Sequence, residues 1–334
     1  MRPRRVEVVH VGSAARDVAE DDPRGWRLGG GVTYAALTTA KLGLRTAAIV
    51  GLDRDARGAT ELDALRAAGV DLLVVELPEG PVFDNQETAD GRVQTAMQVG
   101  VPLEPRPLPE SWLAAAAWSL VPVAGEVGDA WTAVIPPDAV VAVGWQGLLR
   151  RLVAGERVGH VAPTARALLR RADLVGVSHH DVDAAMPLTD LAALLRPGAR
   201  LLVTQGEHGG LLVTAGQNVV DRPLEVIRYL PTRTDGEVDP TGAGDTFLAA
   251  LVAATVRPSI LGPGRGRFGA DLRFAAAAGS LAVEGVGLGG VPDLPAVTRR
   301  RLRERVRRAV LPSEAAQVGA AEPIEVAELA PTPR

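Results

Sequence analysis

The chain has 334 residues and a formal net charge of −4, with 47% hydrophobic and 23% charged residues. This length and balance suit one large α/β domain or two ordinary ones with a sizeable core. The charge excludes whole-protein attraction to nucleic acid or anionic membrane, and the absence of cysteine excludes disulfides, thiolate metal sites and a cysteine nucleophile.

Val6-Glu7-Val8-Val9-His10-Val11 predicts a first strand ending at Gly12, because Glu7 and His10 break the apolar run a signal peptide needs. Gly29-Gly30-Gly31 precedes a predicted helix from Val32 to Leu42, closed by Gly43. A strand at 46–50, a helix at 56–68 ended by Gly69 and a strand at 70–75 follow. Alternation at this spacing predicts βαβ units around a parallel sheet.

Residues 81–99 break that rhythm. Two strand-like runs flank Ala89-Asp90-Gly91, a hairpin signal. Together with Trp26–Leu28 they predict a small antiparallel lobe inserted into the α/β domain. A proline-rich stretch at 102–109 then leads back, and buried strands are expected at 140–143, 174–177 and 201–204. A glycine-rich hairpin at 206–213, a helix at 246–256 and another near 270–284 complete the domain. After Pro312 periodicity ends, and residues 312–334 are expected to be a poorly ordered tail.

Several conspicuous features have plain structural readings. Lys41, the only lysine, is followed by Leu42 and sits in a helical pattern, so neither a Walker A loop nor a protein-kinase lysine is present. His179, His180, Asp181 and Asp183 suggest a metal cluster, but adjacent histidines diverge, and polar residues at a strand end explain them better. The arginine run from Arg299 to Arg308 carries an apolar stripe of Leu302, Val306, Ala309 and Val310, which predicts a docked terminal helix with a solvated basic face. It lacks interleaved aromatics for stacking on nucleic acid. Trp112, Trp118, Trp131 and Trp145 read as core, whereas Trp26 could lie over a substrate or simply pack the small lobe. No window of about 18 apolar residues predicts a membrane span.

The chemistry concentrates in Asp239-Pro240-Thr241-Gly242-Ala243-Gly244-Asp245 at the start of an apolar helix. Small residues there leave consecutive peptide N–H groups free to hold an oxyanion, aided by the helix N-terminus. Asp245 adds a carboxylate beside them. An anion site next to a carboxylate is what phosphoryl transfer to an alcohol requires.

Residues 239–250 resemble the second signature of PfkB-type (ribokinase-like) carbohydrate kinases. Gly29–Gly43 is similar to the first signature, and Gly12–Asp17 to the family's first strand. The resemblance covers about residues 5–297, in the family's order and spacing. It implies a ribokinase-like three-layer α/β sandwich with a mostly parallel central sheet, helices on both faces and a small β lid. The kinase domain would span residues 1–311, with lid segments at about 14–30 and 79–101. It further implies a cytoplasmic enzyme that uses ATP and Mg²⁺ to phosphorylate a hydroxyl of a sugar, polyol or nucleoside.

Position by position, the resemblance makes Asp245 the base and Gly242, Ala243 and Gly244 the anion hole. Asp17 would bind substrate hydroxyls, and Gly29 and Gly30 would hinge the lid. Thr204, Gly206 and Gly209 would line the nucleotide phosphates. Ser178 and Asp181 stand where the family has Asn-x-x-Glu, so Asp181 would organise the metal through water. Tyr34 and Ala15 replace two asparagines that hold a sugar, which argues against a ribose-like pose. Residues 141–150 are similar to a stretch of inositol kinases. The resemblance implies neither a nucleic-acid nor a membrane partner, and it admits a homodimer through the lid. A nucleoside kinase of the same fold and a catalytically silent sugar-sensing relative remain as alternatives, although a mere binder needs no Asp245.

Overall fold

Seven apolar runs pair in parallel at the centre of the molecule, which a computed structural model describes over residues 5–88, 91–216, 224–264, 269–302 and 306–310. The first half of the chain runs β1 (Val8–Ser13), β2 (Ala15–Val18), β3 (Trp26–Gly29), α1 (Gly31–Lys41), β4 (Thr46–Leu52), α2 (Thr60–Ala67), β5 (Asp71–Glu76), β6 (Val82–Thr88) and β7 (Gly91–Gln98). Next come α3 (Glu110–Leu113), β8 (Ala117–Leu120), β9 (Val140–Gly144), β10 (Arg150–Arg151), β11 (Glu156–Arg157), β12 (Gly159–His160) and α4 (Ala167–Arg171). The remainder is β13 (Leu174–Ser178), α5 (Leu188–Ala193), β14 (Arg200–Thr204), β15 (Gly210–Thr214), β16 (Glu225–Tyr229), α6 (Ala243–Val256), α7 (Ala270–Ala282), α8 (Leu294–Arg301) and β17 (Val306–Val310).

The large sheet has the order β17-β16-β15-β14-β13-β9-β8-β1-β4-β5. Pairings from β5 to β14 are parallel, and β15, β16 and β17 extend that edge antiparallel. Every residue of β1 and β4 is buried, as expected where both faces of a parallel sheet are covered. Successive residues point to opposite faces: Val8 packs in the cluster with the alanine-rich α6 and α7, and Val9 in the cluster holding Trp112, Trp118, Trp131 and Trp145. The four tryptophans are core, as their apolar neighbours predict.

A second sheet of five strands, in the order β11-β7-β6-β2-β3, stands beside the first. The hairpin read from the sequence is the antiparallel β6–β7 pair, whose turn at 89–90 lies outside the described residues. The fifth strand, β11, has no signal in the sequence: two exposed residues pair with Thr95 and Ala96 of β7.

Two expectations need correction. The helix expected at 56–68 breaks into a 3₁₀ turn at Asp55–Gly58 and α2, because Asp53 Oδ1 accepts the Ala56 N–H at 3.1 Å and Ala59 is extended. The arginine run is not one helix: α8 ends at Arg301, and Val306–Val310 is a strand pairing antiparallel with β16. The open edge of β16 offers unpaired backbone groups, and pairing them outweighs the helical stripe. Leu302, assigned to that stripe, is 72% exposed. The tail at 312–334 lies outside the described residues.

Candidate active site

The glycine motif meets α6 through a left-handed residue. Gly242 has φ +78° at the helix N-cap, and a Cβ there would land in the ring of Tyr34. Only glycine fits both demands. The Ala243 N–H donates back to Pro240 O at 3.3 Å and the Thr246 N–H to Gly242 O at 2.8 Å, so Ala243 is not a wholly free donor as the sequence suggests. No side chain caps this helix. Gly244 is exposed and a Cβ on it would meet nothing within 4 Å, which leaves open space over the first turn. The positive φ of the motif lies at Gly242, not at Gly244.

Asp245 turns its carboxylate toward the start of α1. A Cβ on Gly31 would lie 2.8 Å from Asp245 Oδ1, so the absence of a side chain at Gly31 makes room for the acid. One edge of Asp245 stays partly exposed, but the surrounding protein displaces most of its hydration. That desolvation pushes its pKa up to about 6; the Arg150 guanidinium pulls it down and the Asp181 carboxylate pushes it further up. Arg150 itself donates to Val123 O at 3.0 Å and stacks 5.3 Å from the Phe83 ring centroid. Sequence reading singled out neither Gly31 nor Arg150, since only the fold brings β10 and α1 to Asp245.

The mouth of the site is a cleft of about 310 Å³ between the small sheet, α1 and the loops at 238–241 and 286–287, lined by Asp17, Asn85, Arg27, Tyr34, Thr241 and Gly287 among others. Thr241 and Tyr34 connect it to the α6 N-terminus. Asp239 ties the loop together, accepting from Thr241 N–H and Gly287 N–H, each at 2.9 Å. Gly29 lines the cleft directly against the Asp17 carboxylate, where a Cβ would collide with Oδ2. Gly30, with φ +92°, caps α1 where a Cβ would lie 2.6 Å from Ser13 O. Tyr34 is 2% exposed and braces Gly242 as well as lining the cleft. Trp26 is not among the lining residues; Arg24 stacks 4.6 Å from its ring centroid, which is the packing reading.

Ser178 and Thr204 end the adjacent strands β13 and β14 in direct register. Ser178 Oγ accepts the His180 N–H at 3.3 Å, and Asp181 Oδ2 accepts the Ser178 N–H at 3.3 Å in a capping box. Gln146 Nε2 donates to Asp181 Oδ1 at 3.4 Å. Gly206 (φ +55°) and Gly209 (φ +81°) make the tight turn after β14. His179 pairs with Thr204 O through Nδ1 at 3.0 Å, and burial holds its pKa down. Among the described residues no three His, Cys, Asp or Glu side chains form a metal-binding group. Asp181 is buried, and its two carboxylate oxygens are taken up by the Ser178 N–H and Gln146 Nε2.

The pfkB family carbohydrate kinase model matches residues 7–294. The chain belongs to this family. Among solved structures, the pfkB chain is similar to Arabidopsis thaliana ribokinase complexed with ribose and ATP (TM-score 0.63, 22% identity, 89% of this chain and 99% of that one). It is also similar to a pyrophosphate-dependent kinase of the ribokinase family complexed with a pyrophosphate analog and myo-inositol (TM-score 0.59, 20% identity, 84% and 96%). A third is the nucleoside kinase of Methanocaldococcus jannaschii (TM-score 0.62, 16% identity, 90% and 99%). These likenesses establish the ribokinase-like fold. The bifunctional protein HldE of Pseudomonas syringae is 42% identical over 78 residues, 22% of this chain and 15% of that protein. No described helix is long and apolar enough to cross a membrane.

Proposed function

We propose that this pfkB kinase transfers phosphate from ATP to a hydroxyl of a cyclic polyol or a nucleoside, with Asp245 as general base. The observation that carries the reading is the Asp245 carboxylate set beside the open first turn of α6, with its pKa raised to about 6. A base poised there is ionised at neutral pH yet accepts a proton readily. The acceptor hydroxyl donates its proton to Asp245 as its oxygen attacks the phosphoryl group. The N–H groups of the α6 N-terminus, with Gly244 leaving space for them to be reached, stabilise charge on the transferring oxygens. Arg150 adds positive charge on the same side.

ATP supplies the phosphoryl group when bound, and Thr204, Gly206 and Gly209 would hold its phosphates at the ends of β14 and β15. Asp181 would order magnesium through water. The small sheet acts as the lid, with Gly29 and Gly30 as its hinge and Asp17 as the hydroxyl-binding acid. Tyr34 stands where an amide would offer both a donor and an acceptor, which leaves fewer polar partners for the hydroxyls of ribose.

The test is a kinase panel of ribose, myo-inositol and adenosine at equal concentrations, with ATP and, separately, pyrophosphate as donor. Myo-inositol or adenosine should be phosphorylated with ATP far better than ribose. Efficient ribose turnover, or turnover with pyrophosphate alone, would contradict the reading.

A further inference from the structure

Asp17 is held by a chain of amides. Asn85 on β6 donates through Nδ2 to Asp17 Oδ1 at 3.0 Å, and Gln94 on β7 donates through Nε2 to Asn85 Oδ1 at 2.6 Å. Asn85 and Gln94 are direct cross-strand partners, and all three residues are partly buried. The Val158 N–H donates to the main-chain O of Gln94 at 2.8 Å, which anchors the β7 backbone at that position.

The direction of the chain is forced. A carboxylate only accepts, so Asn85 must turn Nδ2 to Asp17 and Oδ1 away from it, where only a donor satisfies it. Gln94 is that donor. An amide nitrogen carries two hydrogens, and Asn85 uses one on Asp17. Asn85 and Asp17 both line the cleft, with Gly29 leaving space over the Asp17 carboxylate.

We propose that Gln94 is a positioning residue that fixes the polarity of Asn85, so that Asp17 and Asn85 together offer the cleft an acceptor beside a donor and select two neighbouring hydroxyls. One hydroxyl donates to Asp17 while the next accepts from Asn85, so the pair distinguishes a vicinal diol from an isolated alcohol. The proposal rests on the kinase reading above and adds the feature of the acceptor that the site reads.

The decisive variant is Gln94→Glu, which keeps size and shape but replaces a donor with an acceptor. Asn85 would then lie between two carboxylates and could donate through Nδ2 to only one of them, so its amide would no longer be held with Nδ2 on Asp17. Steady-state kinetics with ATP on myo-inositol, adenosine and 2′-deoxyadenosine would be compared in wild type, Gln94→Glu and Gln94→Met. The expected result is a rise in acceptor KM of about 10- to 100-fold in Gln94→Glu, with a smaller rise in Gln94→Met. The KM for ATP and kcat should stay within about 3-fold, and the preference for adenosine over 2′-deoxyadenosine should collapse. An unchanged acceptor KM in Gln94→Glu would overturn the relay alone. Loss of kcat, ATP affinity and thermal midpoint together would also overturn it, because that marks a merely structural role. Wild-type protein inert toward every acceptor would overturn the kinase reading, and the relay with it.

Discussion

The two ends of the candidate site are built in opposite ways. At the α6 end, a consecutive stretch from Asp239 to Thr246 supplies the loop, the left-handed turn, the helix N-terminus and the acid. At the cleft end, Asp17, Arg27, Asn85, Tyr34 and Gly287 come from β2, β3, β6, α1 and a distant loop. The first depends on backbone conformation and tolerates almost no change in shape. The second depends on side-chain polarity, so it can change partner chemistry while the fold persists.

Two glycines of the first region should separate folding from turnover. Gly242→Val combines a β-branched residue at φ +78° with a clash into Tyr34, and should cost about 3 kcal/mol of stability by chemical denaturation. Gly244→Val meets open space, so it should fold nearly as the wild type while phosphate transfer fails. Equal stability loss in both would break the distinction. Asp245→Asn offers a stability test of the buried acid. Its folded pKa of about 6 lies above the usual 3.8, so folding favours the protonated form. That contribution is fully present below pH 3.8 and is lost as pH rises through 6. Asp245→Asn should therefore gain at most about 3 kcal/mol over wild type at pH 8 and almost nothing at pH 3. Next in size, Gly31→Ala should displace the carboxylate and lower kcat by about 10- to 100-fold. The smallest effect is electrostatic. Removing the Arg150 charge in Arg150→Met should move the acid limb of the kcat profile upward from pH 6, and a downward shift would contradict the assignment.

The same contrast explains what the sequence made legible. The parallel core was readable because strands such as β1 and β4 are mostly apolar with a glycine near their ends, and Gly43 and Gly69, both at positive φ, mark helix ends. The glycine-acid motif at the start of α6 was readable because its residues are adjacent. Gly31 and Arg150 were not, since their relation to Asp245 exists only after β10 and α1 have docked. Glu156–Arg157 carries no strand pattern, and its place as the fifth strand of the small sheet follows from the edge of β7 rather than from its own residues. The arginine run misled because Leu302 and Val306 suit a helical stripe, whereas the edge of β16 demanded a strand.

The central claim is that Asp245 takes the proton during phosphoryl transfer, and kcat of Asp245→Asn at pH 7.5 with saturating ATP and the best acceptor tests it most directly. The account predicts a fall of about 10² to 10⁴-fold with ATP binding and the fold retained. A kcat equal to that of the wild type would remove Asp245 from the chemistry.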